Sequence, residues 1–435
     1  MAGFEAVSPA CSPLSVAPMI QWTNSHFRNL TRTLTSRTLL YSEMIMDSAL
    51  VGQHHYKRNG LGVLSPWLVA LPGEQPLAYQ LGGGGLDGVS CLAAAGSRPV
   101  IEGGVNLPSA EQLALAADLV CSYAAENGIE PAEININSGC PSSKALRGGF
   151  GADLMRATAN DHTRAVVSSV VRRVGARSEV TVKCRIGVCA PAAQPEDSRM
   201  TYRSLCEYVA GVKSAGVKRV IVHSRVCVLS GLSTAMNRTV PPLKYSVVRN
   251  LVRDFPDMDF VLNGGLRSLS EAESVLGRAG DGGLVYAMGG GGGGEDAEKY
   301  GSDFDWEIGS GASGFPQGAM IGRAVYNDPG MLFDADERFF GAPGPAAGAS
   351  WGDVLERYWD YAETLDGSNK NNSLNEVIKP LHNVFANVVG NREYKQKLDR
   401  LVQEEGRKAK KRDKGTVGGE GGGEGGGKVG SLVRE

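Results

Sequence analysis

None of the eight cysteines stands in a Cys-x-x-Cys pair, and only Cys184 and Cys189 lie close together. The thiols at 11, 91, 121, 140, 184, 189, 206 and 227 therefore lack metal-ligand spacing, no metal is expected, and a reduced intracellular setting is, the cytoplasm first with an organelle also compatible. No uninterrupted apolar run approaches the ~18 residues of a spanning helix. The opening MAGFEAVSPACSPLSVAPM has neither a basic n-region nor a long apolar core, so secretion is not expected. Bulk charge is also missing. With 45 basic and 47 acidic residues the net charge is -2, so a polyanionic partner must be sought in local clusters.

What is present is a repeat of short apolar strands alternating with helical periodicity. The candidate strands cover 14–19, 39–46, 77–83, 133–137, 180–187, 219–225, 260–265 and 318–324. Helical spacing fills most gaps, for example over 110–127 and 268–280. Eight strands alternating with helices predict an α/β protein, a closed parallel (β/α)8 barrel over 14–345 behind a short extension at 1–13. Helical patterns at 351–365, 372–390 and 391–412 predict a C-terminal helical domain over 346–405, with a low-complexity tail over 406–435. Two glycine-heavy stretches, 82–106 and 287–317, interrupt the periodicity and read as flexible loops.

In such a barrel the chemistry sits at the C-terminal ends of the strands. Those ends carry Pro18 and Met19, Glu43, Gln80, Asn137 with Cys140, Lys183 with Arg185, His223 with Arg225, Asn263-Gly264-Gly265, and Gly322-Arg323. Nearly every strand thus delivers a hydrogen-bonding or charged group to one end. The glycine turns after strands seven and eight lie where barrels bind phosphate through backbone N–H groups, and flavin mononucleotide is a frequent ligand of that kind. Cys140 stands on a Gly-Cys-Pro corner directly after the strand EININ, where glycine and proline restrict the path of the chain. A thiol with its ordinary pKa of about 8.5 is mostly protonated near neutral pH and suited to donate a proton.

Several stretches together resemble one family. SVAPMIQWTNSHFRNLTRTLTSRTLLYSEM, EININSGCPSSKALRGGFGADLM, HSRVCVLSGLSTAMNRTVPPLKY, LNGGLRSLSEA and MIGRAVYNDPGML are similar to the tRNA-dihydrouridine synthases, most of all to the subfamily acting on the 20/20a uridines of the D-loop. The resemblance spans roughly 14–400. It implies a bound FMN reduced by NADPH, hydride transfer to C6 of a uracil, and proton delivery to C5 by Cys140. Ala17, Pro18 and Met19 would lie along the flavin ring. Gln80, Lys183 and His223 would bond its polar edge and ribityl chain, with Lys183 stabilising the negative charge of the reduced ring. Asn263, Gly264, Gly265, Gly322 and Arg323 would hold the phosphate, and Asn137, Asn237 and Arg238 would meet the substrate RNA. A tRNA partner and a monomer follow from the same resemblance. Lys144, Arg147, Arg225, Arg238, Arg392, Lys395, Lys397 and Arg400 are the residues available for phosphate contacts.

Each of these residues also has an ordinary structural reading. Cys140 could simply occupy a turn, His223 cap a strand, and Lys183 extend from a strand end; the other seven cysteines read as small apolar residues. His54 and His55 read as surface residues and His382 as a packing residue. Two other functions stay open at this stage: a flavin barrel reducing a small molecule, and a non-catalytic RNA binder that has kept the enzyme's fold.

Overall fold

The computed structural model describes residues 12–57, 60–86, 100–101, 105–278, 314–365 and 372–415. Its centre is a closed barrel of eight strands: β1 Leu14–Val16, β2 Leu39–Met46, β3 Leu77–Gly82, β4 Pro131–Ser138, β5 Glu179–Cys189, β6 Arg219–Val228, β7 Asp259–Asn263 and β8 Gly318–Ile321. Every neighbouring pair is parallel, and β1 closes the ring by pairing both β2 and β8. The α/β barrel expected from the alternation is therefore the fold. Helices cover the outer face, so the strands are buried on both sides and their apolar runs are nearly continuous.

The register decides what the mouth of the barrel contains. Gln80 is aligned with Asn135, Asn137 with Lys183, Arg185 with His223, His223 with Asn263, and Asn263 with Met320. Parallel strands point the same way, so these side chains gather at one end.

The chain forms two compact units, Met1–Gln21 with Arg37–Gly322, and Trp22–Ser36 with Arg323–Glu435. The boundary expected at 346 thus moves to Arg323, and the second unit takes in the helix Ser25–Leu34. Side chains explain the grouping. Trp22 stacks on Tyr326 with centroids 4.5 Å apart, His26 and Tyr361 are 2.7 Å apart, and Asp336 accepts from the Ser36 amide and from both the Thr35 and Ser36 hydroxyls. Within the same unit the helical stretch expected over 372–390 is broken into the helix Leu374–Ile378 and a 3-10 turn, Lys379–Asn383, because Pro380 has no amide to donate. The last helix runs Asn391–Gly415, past the expected start of the tail at 406; residues 416–435 lie outside the described residues.

The glycine-rich stretches are only partly described. The extension at 1–11 and the stretches 87–99, 102–104 and 279–313, with Cys11 and Cys91, lie outside the described residues, as does the side chain of His55. The flanks that are described are packed, which corrects the expectation of flexible loops there. A Cβ on Gly83 would fall 2.0 Å from the Asp47 carboxylate, and one on Gly85 would fall 2.0 Å from the Gly148 carbonyl. Asp47 accepts from the Gly84 amide, and burial pushes its carboxyl up to about 6. At the far side of the second stretch, the Arg249 guanidinium lies 4.5 Å from the Phe315 ring centroid.

Candidate active site

The corner after β4 is fixed by its own backbone. Asn137 Oδ1 accepts from the amides of Gly139 (3.1 Å) and Cys140 (3.0 Å), and the Cys140 carbonyl accepts from Ala152 at 3.1 Å. The thiol donates to Ser142 Oγ at 3.4 Å, and that oxygen also accepts from the Ala145 amide, capping the helix Ser143–Arg147. Cys140 is half-buried.

The remaining described thiols sit in different surroundings. Burial pushes Cys121 up to about 11, and Cys184 and Cys227 up to about 12, which leaves them as inert protonated residues. All six described cysteines are free, with Cys206 also raised by burial.

Lys183 occupies the next strand, aligned with Asn137. Among the described residues its ammonium makes no hydrogen bond and no ion pair. Burial, and then the neighbouring Arg185 cation, push it down to about 8. An unpaired cation in this position is costly unless an anionic group meets it.

The turn after β7 brings Gly264 and Gly265 together at φ of 111° and 74°, in the region that side chains avoid. A Cβ on Gly264 would lie 2.7 Å from His223, so the glycine is what allows the imidazole to approach this backbone. Tyr245 donates its hydroxyl to the Gly264 carbonyl at 2.7 Å, and Asn263 Nδ2 donates to the Met320 carbonyl at 2.8 Å, joining the turn to β8. Gly322 follows, with its missing Cβ 3.5 Å from Ala17 and 3.7 Å from Met19 Sδ. Pro18 and Met19 are partly exposed beside it. The structure thus brings Ala17, Pro18, Met19, Gln80, Asn137, Cys140, Lys183, His223, Asn263, Gly264, Gly265 and Gly322 to one end of the barrel. Arg323 is exposed and opens the C-terminal segment of the second unit.

Two residues expected at the RNA are used otherwise. Asn237 is completely buried; its Oδ1 accepts from the Val228 amide at 2.8 Å and its Nδ2 donates to the carbonyls of Val228, Leu232 and Ser233. Arg225, also buried, donates to the carbonyls of Thr239 and Pro241. Both hold the loop after β6 in shape. Arg238 beside them stays half-buried. Lys144, Arg147, Arg392, Lys397 and Arg400 are exposed, while Lys395 donates to Asn383 at 3.4 Å.

Arg185 was visible at a strand end but had no assigned role. It is buried, donating to Gly139 O (3.2 Å), Val226 O (3.3 Å) and Asn237 O (2.7 Å). One guanidinium therefore ties the Cys140 corner to the Asn237 loop. An arginine two residues after an interior lysine, towards the C-terminal end of its strand, was the only signal for it.

The family model described as "Dihydrouridine synthase (Dus)" matches residues 15–95 and 106–290. The tRNA-dihydrouridine(20/20a) synthase of Pseudomonas putida is 32% identical over 77% of this chain and 74% of its own length. That of Pseudomonas aeruginosa is 30% identical over 88% of both chains, and that of Pasteurella multocida 30% identical over 90% of this chain and 91% of its own. Among the described residues no helix is long and apolar enough to cross a membrane, and no cluster of metal-binding side chains occurs. The chain belongs to the dihydrouridine synthase family.

Proposed function

We propose that this oxidoreductase reduces the C5–C6 bond of the 20/20a uridines in the tRNA D-loop, with FMN as hydride carrier, NADPH as electron source and Cys140 as proton donor. Its three named relatives are tRNA-dihydrouridine(20/20a) synthases, and they align over most of this chain. The observation that carries the reading is the unpaired Lys183 ammonium at the mouth that also holds Cys140 and the glycine turn.

The donor set fits a flavin mononucleotide. Lys183 offers a cation to a ring that gains negative charge, and Gln80 the N–H that its bond to Asn135 leaves over, while Ala17, Pro18 and Met19 offer apolar surface. Gly264, Gly265 and Gly322 offer backbone without side chains, the usual form of a phosphate cradle. Held there and reduced by NADPH, the cofactor supplies a hydride to C6 of the uracil.

The chain's own part is proton delivery and positioning. As C6 receives the hydride, C5 becomes carbanion-like, and carbon takes a proton slowly from bulk water. Cys140 Sγ–H gives its proton to C5, and the thiolate left behind is reprotonated from solvent, so the sum is one hydride and one proton added across the bond. Asn137 fixes the corner that aims the sulfur. The uridine must leave its stack to reach this depth, at a cost of a few kcal/mol offset by pocket and backbone contacts. In this reading Lys144 and Arg147, exposed on the short helix after Cys140, hold the RNA backbone.

Flavin-loaded protein, NADPH and unmodified tRNA should yield a two-hydrogen mass gain in a D-loop fragment. Cys140→Ala should cut that yield by about 10²–10⁴-fold while NADPH still bleaches the flavin. A D-loop that stays unmodified while NADPH is consumed would move a small-molecule reductase ahead, and full activity of Cys140→Ala would remove the assigned acid.

A further inference from the structure

The barrel interior carries a continuous hydrogen-bonded ladder that begins far from the mouth. Glu133, Asn135 and Asn137 are alternate residues of β4 and so face the same way, into the barrel. Glu133 is fully buried and accepts from Arg219 at 2.8 Å, from the Tyr41 hydroxyl, and from Thr181 Oγ1 at 2.8 Å. Thr181 Oγ1 accepts from Asn135 Nδ2 at 2.8 Å, Asn135 Oδ1 accepts from Gln80 Nε2 at 2.8 Å, and Gln80 Oε1 accepts from Asn137 Nδ2 at 2.9 Å. The last group, Asn137 Oδ1, accepts from Gly139 and Cys140.

Every step has one direction, and the carboxylate dictates it. A carboxylate paired with a guanidinium only accepts, so the Thr181 proton points toward it and the Thr181 oxygen is left to accept. Asn135 must then turn its amide nitrogen down and its oxygen up, and Gln80 and Asn137 must follow. If the polarity were reversed, each amide would flip. Asn137 would present Nδ2 to two backbone N–H groups, donor against donor, and the corner would lose its anchor. The alternatives are two discrete arrangements of one network.

We infer that Glu133 is a positioning residue for Cys140, setting through Thr181, Asn135, Gln80 and Asn137 the amide polarity that holds the Gly139–Cys140 corner. The relay runs along ~13 Å of strand. Arg219 is kept charged by Glu133 and is flanked also by Glu179 and Asp259, so the base of the ladder holds one buried ion-pair group with its cation shared. Tyr41 is held well above the ordinary range, first by burial and then by Glu133, so it remains a donor and does not compete to reverse the ladder. That the corner serves proton delivery rests on the function proposed above; that the ladder holds the corner does not.

Hydrogen exchange of the peptide containing Gly139 and Cys140, followed by mass spectrometry, reads the corner without requiring activity. Glu133→Gln replaces an all-acceptor group by one that also donates, and should speed exchange there by about tenfold or more. Tyr41→Phe removes a different donor from the same carboxylate and leaves the polarity alone, so it should lower the urea midpoint without changing exchange at the corner. Wild-type exchange in Glu133→Gln, or equal acceleration in Tyr41→Phe, would overturn the relay. Should Glu133→Gln fail to fold, Thr181→Val cuts the ladder above an intact Glu133–Arg219 pair and should speed exchange similarly; unchanged exchange in it would overturn the relay as well.

A second readout tests the polarity itself. Asn137→Asp puts a competing acceptor at the top, and Glu133→Gln removes the one at the base, so the double variant carries a consistent reversed ladder. Its urea midpoint should fall by clearly less than the sum of the two single losses, and strict additivity would refute a shared polarity. If exchange follows the ladder but Cys140→Ala still forms dihydrouridine, the positioning stands and the acid assignment falls.

Discussion

Asn137 and Asn237 make the same kind of bond and serve opposite ends. Asn137 is the last residue but one of β4 and Asn237 lies in the loop after β6; each accepts backbone N–H on Oδ1, and each was expected at the substrate. Asn137 is half-exposed at the barrel mouth and spends its Nδ2 on Gln80. Asn237 is completely buried and spends its Nδ2 on three carbonyls of its own loop. An asparagine in a motif is thus no sign of ligand contact by itself. What separates the two is where the donor half of the amide goes, into an interior network that opens at the site or into the loop's own backbone.

The strongest way to break that comparison is to remove what joins the two loops. Arg185→Met leaves the carbonyls of Gly139, Val226 and Asn237 without their guanidinium donor, in a buried place where water does not replace it. The expected loss of stability is on the order of 3 kcal/mol, read from urea unfolding. Hydrogen exchange should accelerate in both loops together. Acceleration in one loop alone would show that they are held independently.

The two asparagines should then separate by kind of effect. Asn237→Leu strands the Val228 amide and several carbonyls, so it should cost roughly 2 kcal/mol of stability. Asn137→Leu, at a half-exposed position, should cost under about 1 kcal/mol, yet it frees the Cys140 corner and should lower dihydrouridine formation by at least about tenfold. Comparable losses of both stability and activity in the two variants would erase the distinction.

Much of this frame is legible in the residues. The alternation of apolar strands with amphipathic helices gives parallel pairing, and eight repeats favour a closed barrel over an open sheet. The strand-end polar groups give most of the mouth. EININ contains the interior ladder as well, because a period of two puts Glu133, Asn135 and Asn137 on one face. Read as a buried apolar strand, it hides Glu133, whose importance depends on Thr181, Gln80 and Arg219 from three other strands. Arg225 and Asn237 show the opposite failure. Charge and hydrogen-bonding capacity are visible in a sequence, but the turn that folds the side chain back onto its own loop is not. The first helix is harder still, since Asp336, which accepts from the residues at its end, lies some three hundred positions away.

The smallest effect concerns Lys183, the interior cation at the mouth for which the asparagine comparison has no counterpart. In the flavin-free protein its folded value is about 8, below the ordinary lysine value of 10.5. The unfolded chain therefore binds more protons than the folded one between these limits, and stability rises with pH through that window. At pH 7 both states hold the proton, and the folded state carries the cost of a half-buried ammonium with no partner among the described residues. Lys183→Met should accordingly be the more stable protein at pH 7, by on the order of 1 kcal/mol after solvent screening, and the gap should close as pH approaches 10. Comparing the two proteins at each pH cancels the tyrosine and cysteine titrations they share. FMN should raise the wild type's midpoint at pH 7 more than the variant's, because an anionic group at the ammonium offsets the cost that burial imposes. A gap that stays constant from pH 7 to 10 would mean that the Lys183 ammonium is solvated in the folded protein, and the electrostatic reason for placing a flavin edge there would go with it.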